Sequence, residues 1–107
     1  LNDPEYVEAA RAFAARILKE GGTTPEARIA WAWREATDRA AKPAEIAALR
    51  GLLGRQRAAA EQNADASGEI LKAGYARVPD GISPADLASY TAVARAILNL
   101  HETITRL

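Results

Sequence analysis

Between Ser83 and Leu107 the apolar residues Tyr90, Val93, Ile97, Leu100, Ile104 and Leu107 fall at alternating spacings of three and four. That period lays them in one stripe along an α-helix and would scatter them over both faces of a strand. Ser83 offers a side-chain oxygen as N-cap, Pro84 suits the first helical position, and Asp86 meets the positive end of the helix dipole. Ala94 and Leu98 flank the stripe. A helix with one such apolar face gains most of its stability from packing, so the rest of the chain has to supply helices that cover it.

The preceding residues supply them, with clear punctuation. Asn2 reads as an N-cap with Glu5 at the third helical position, and Leu1 can staple against Tyr6. The helix this opens runs to about Glu20, with Tyr6, Ala10, Phe13 and Ile17 as its apolar stripe, and Gly21-Gly22 stops it. Thr24-Pro25 caps a second helix that carries Ile29, Trp33 and Ala36 on one face. Trp31 and Trp33 are two residues apart, so their indoles point about 200° apart on a helix. Either the second helix is covered on both sides and forms the centre of the bundle, or one Trp is core and the other half-exposed.

Pro43 opens a third helix over about 43–62, with Ile46, Leu49 and Leu53 inward and Glu45 in its first turn. Gly51 and Gly54 interrupt it at a cost of about 1 kcal/mol each relative to Ala, which a close helix crossing would offset. A short helix is expected around Ser67–Ala73, ended by Gly74, and residues 75–82 read as a loop because Pro79 and Asp80-Gly81 break any period. Alanine is abundant and β-branched residues are sparse, which favours helix throughout. The expectation is an all-α fold: a compact bundle of four main helices plus one short helix, mostly antiparallel. Its 107 residues suit one helical domain spanning 1–107.

Charge narrows the partners. The 14 basic and 14 acidic residues cancel, so the chain lacks the positive excess of a general nucleic-acid binder. Arg50, Arg55 and Arg57 form its densest basic cluster, and a patch that short is expected to be solvated surface. With no cysteine, disulfides, zinc–thiolate sites and covalent c-type haem attachment are excluded within these residues. No apolar run approaches the roughly 18 residues of a membrane span. The chain has neither a signal-peptide pattern nor an initiator Met, so it reads as a mature fragment or excised domain.

Motifs that could carry chemistry are incomplete. His101-Glu102-Thr103-Ile104-Thr105 begins like a zinc-protease helix, but Thr105 stands where the second His is needed, and the sequence has a single His. His101 is expected at the edge of the core instead. Residues Asn63 to Ile70 place oxygen ligands at alternate positions with Gly68 sixth, as a calcium loop does; Gly74 occupies the position that needs a bidentate Glu. Asn63 or Asp65 as helix caps would explain the same residues. No serine sits in a nucleophile elbow, and Gly21-Gly22 lacks the preceding strand and the Lys of a phosphate loop. Catalytic, cofactor-binding and metal residues are all expected to be none, and no cofactor is assigned.

Three blocks nevertheless resemble one family. They are Leu1-Asn2-Asp3-Pro4-Glu5-Tyr6-Val7-Glu8-Ala9-Ala10-Arg11; Arg28-Ile29-Ala30-Trp31-Ala32-Trp33-Arg34 through Arg39 with Pro43-Ala44-Glu45-Ile46; and Ala92-Val93-Ala94-Arg95-Ala96-Ile97-Leu98-Asn99-Leu100-His101-Glu102-Thr103-Ile104-Thr105-Arg106. In this order they resemble the C-terminal part of the planctomycete-specific domain family of unknown function, which accompanies planctomycete-type cytochrome c domains in large exported proteins. The chain departs from the family pattern at Asp38-Arg39-Ala40-Ala41, where a Gly-Arg-Pro-Pro turn is usual, and at His101, where Asp is usual. The resemblance implies a periplasmic or extracellular location, a larger parent chain, and possible haem chemistry upstream. It brings no catalytic residues.

Two further expectations concern individual side chains. Arg39, near the end of the second helix, is placed to meet carbonyls or a carboxylate, and Glu102 and Arg106 are spaced to pair on one helix face. Functionally, the leading expectation is a non-catalytic structural or interaction domain that packs on the remainder of its parent chain or on a protein partner. The alternative is an accessory wall or lid of a parent enzyme acting on carbohydrate or in redox chemistry, with the catalytic or haem site upstream.

Overall fold

Thr24 accepts the Ala27 N–H on its hydroxyl at 3.2 Å, and Ser83 does the same for Asp86 at 3.4 Å, so both helices begin at the Ser/Thr-Pro steps. The computed structural model describes residues 3–62 and 81–106, with side chains for 5–62 and 81–100. These residues form α1 (Asp3–Glu20), α2 (Pro25–Thr37), α3 (Pro43–Gln62) and α4 (Pro84–Arg106). The described residues are all-helical, with no strand among them. The radius of gyration is 13.2 Å, the value of a compact globule of this length. The expected Asn2 cap, the short helix at Ser67–Ala73 and most of the 75–82 loop lie outside the described residues.

The core follows the stripes. Ala10, Phe13, Ala14 and Ile17 of α1, Ile29, Ala32 and Trp33 of α2, Leu49 and Leu53 of α3, and Leu87, Tyr90, Val93, Ala94 and Ile97 of α4 form one buried cluster. Full burial of each Ile or Leu contributes about 1.5–3 kcal/mol. Ser89 is also buried, and its hydroxyl donates to the Ala85 carbonyl of its own helix at 2.7 Å, so its burial leaves no orphan. Arg11 is only 5% exposed, a burial that its charge conceals in the sequence.

The main axis of the bundle is α4, not α2. It packs extensively along α1 and α3, which do not meet each other directly among the described residues, and more lightly on α2. The reason is visible in the two Trp residues. Trp33 is 2% exposed, whereas Trp31 is only partly buried, so α2 presents one core face and one half-covered face. Of the two arrangements open from the spacing, the molecule takes the second.

The turns use their glycines sterically. At Gly21, which donates its N–H to the Ile17 carbonyl at 2.8 Å, a Cβ would lie 2.6 Å from that same oxygen and 3.1 Å from the Arg28 Cα. Gly22 follows at φ +98°, in the region glycine tolerates best. The α3 glycines behave otherwise. Among the described residues, a Cβ at Gly54 would meet nothing within 4 Å, and one at Gly51 only its own helix's Arg55 side chain. Among the described residues, no helix makes the close crossing expected there.

Candidate interaction surface

The turn after α2 builds a small polar clasp. Thr37 donates its hydroxyl to the Trp33 carbonyl at 2.7 Å, and Asp38 takes left-handed dihedrals (φ 59°, ψ 27°) with its N–H on the Arg34 carbonyl at 2.8 Å. Aspartate is among the few non-glycine residues that adopt this conformation readily, which is how the turn closes without a glycine. The reversal brings the Arg39 guanidinium 5.0 Å from the Trp33 ring centroid, within cation–π range.

Arg39 then grips Glu45 through two parallel bonds, Nη1 to Oε1 and Nη2 to Oε2, each 3.0 Å. Glu45 Oε1 also accepts the Lys42 backbone N–H at 2.8 Å, the reach-back of a third-position Glu to its N-cap. The Arg39 hydrogen bonds, aided by the Lys42 N–H, hold the Glu45 carboxyl down at about 2, and the same contact raises the Arg39 pKa. The expectation that Arg39 meets a carboxylate thus has its partner in Glu45.

Beside this clasp lies an open groove of about 350 Å³ lined by Trp33, Ala44, Glu45, Ala48, Leu49 and Leu100. Its walls are mainly apolar. Leu100 is 45% exposed and is the one exposed large hydrophobic side chain among the described residues. It also belongs to the seam whose earlier members Tyr90, Val93 and Ile97 are completely buried. Among the described residues, the apolar stripe of α4 therefore reaches, at Leu100, past the point where the other helices bury it.

A second groove of about 300 Å³ lies on the other side of α2, with Phe13, Ala36 and Leu98 in its walls and Arg16 and Glu35 at its edge. Arg16 donates to Glu35 at 2.8 Å and to Glu20 at 3.4 Å while its guanidinium lies 5.4 Å from the Trp31 ring centroid. Trp31 in turn packs on Phe13 with centroids 6.3 Å apart. Leu98 and Leu100 are two residues apart on α4, which sends them toward different grooves.

The basic cluster on α3 is used between helices. Arg50 pairs with Glu26 in the first turn of α2, and Arg57 pairs with Asp86 in the first turn of α4 at 3.3 Å. At the opposite side Tyr6 donates its hydroxyl to the Arg95 carbonyl at 2.6 Å, with the Arg95 guanidinium 5.8 Å from the Tyr6 ring centroid. Arg28 donates Nε to the Gly22 carbonyl at 3.1 Å and covers the Tyr90 ring at 5.4 Å. The Tyr90 hydroxyl and Trp33 Nε1 are buried with no hydrogen-bond partner among the described residues.

The side chains of His101, Glu102 and Arg106, and the calcium-like residues 63–74, lie outside the described residues. Among the described residues, no three acidic or histidine side chains converge as a metal site, and no helix is long and apolar enough to cross a membrane. The exposure of Leu100 and the clasp over Trp33 escaped the sequence reading; the neighbouring signals were the unbroken stripe and the Arg39/Glu45 spacing of six. Compared with protein-family models, curated proteins and solved structures, the chain matches none.

Proposed function

We propose that this chain is a non-catalytic helical structural and interaction domain of a larger exported protein, resembling the planctomycete-specific domain family, and that it packs on the remainder of its parent chain. The observation that carries this reading is Leu100: a seam residue left 45% exposed beside an apolar groove. Isolated surface leucines are ordinary, but one that continues a buried seam into an open groove offers a contiguous surface to a partner. The Arg39–Glu45 clasp supports the same use, because it satisfies the charges at the groove edge without bringing net charge into it.

We also read the packing as mostly antiparallel. Glu26 meets Arg50 while Trp33 shares a groove with Ala44 and Leu49; Arg57 meets Asp86 while Leu49 shares that groove with Leu100. In each pair, the early part of one helix lies with the later part of the other. The short helix at Ser67–Ala73 belongs to this proposal.

The test is binding of the separately produced remainder of the parent protein, measured by calorimetry against the native domain and a Leu100→Glu variant. Leu100→Glu places a charge on an already exposed site, so circular dichroism should remain native. Affinity is expected to fall at least ~10-fold, equivalent to about 1.4 kcal/mol. Equal binding by the two forms, or no binding by the native domain, would reject the reading.

A further inference from the structure

We draw no further inference here: the strongest candidate, the apolar groove of Trp33, Ala44, Ala48, Leu49 and Leu100 beside the late turns of α4, belongs to the surface already described and nothing in the structure shows what covers it.

Discussion

The guanidinium of Arg39 stands 5.0 Å from the ring centroid of Trp33, joining the end of α2 to the start of α3 through one side chain. Its other partner, Glu45, completes the link with two 3.0 Å bonds. The arrangement needs a planar cation that can face an aromatic ring while forking a carboxylate, which lysine cannot supply.

Replacing Arg39 by Ala is therefore expected to move the Glu45 carboxyl from about 2 up toward its ordinary 4.5. Because the folded-state value is depressed, the stabilising contribution of Glu45 is present above pH 4.5 and fades as pH falls toward 2. In Arg39→Ala this part of the acid dependence shrinks. Carboxyl NMR titration of both forms reads it directly, and an unchanged Glu45 midpoint would show that Arg39 is not its cause.

Two α4 residues three positions apart should respond very differently to truncation. Ile97→Ala empties a fully buried site and is expected to cost about 2–5 kcal/mol. Leu100→Ala, at a position 45% exposed, should stay within about 0.5 kcal/mol. Urea denaturation of both variants makes the comparison, and similar costs would mean that Leu100 is covered in solution.

Glycine-to-alanine changes should have opposite signs at two sites. Gly21→Ala forces a Cβ to 2.6 Å from the Ile17 carbonyl oxygen and 3.1 Å from the Arg28 Cα, so backbone must move and the fold loses about 1–3 kcal/mol. Gly54→Ala adds a methyl in the interior of α3 with nothing within 4 Å among the described residues, and should gain about 0.5–1 kcal/mol. Thermal melts of the two proteins decide it.

Tyr6→Phe removes the hydroxyl that donates to the Arg95 carbonyl at 2.6 Å. The expected loss is about 0.5–1.5 kcal/mol, and amide exchange should accelerate first in the early turns of α1. A variant whose exchange pattern matches the native protein would show that this bond does not hold α1 to α4.

What was legible in the sequence is what is decided within a few residues. The Thr24 and Ser83 caps are such features, since their oxygens need only their own helix's N–H groups. So are the stripes, because Ala10, Phe13 and Ile17, or Tyr90, Val93 and Ile97, share a face whatever covers it. How far a partner reaches along a stripe depends on helix lengths and crossings, so Leu100 looked no different from Ile97. The choice of Trp33 over Trp31 for the core depends on neighbours in the same way. The stack of Arg39 on Trp33 rests on a left-handed Asp38, a conformation that a single non-glycine residue does not announce.

The separation of α1 from α3 has a consequence for how the molecule comes into being. Two helices that, among the described residues, meet by way of α2 and α4 cannot share a finished core until α4, the last of the four in chain order, takes its place between them. A growing polypeptide released one residue at a time would expose Phe13, Ile17, Leu49 and Leu53 until Tyr90, Val93 and Ile97 emerged. Assembly thus waits for α4, and the interval before it is when these helices are most open to proteases and to premature association.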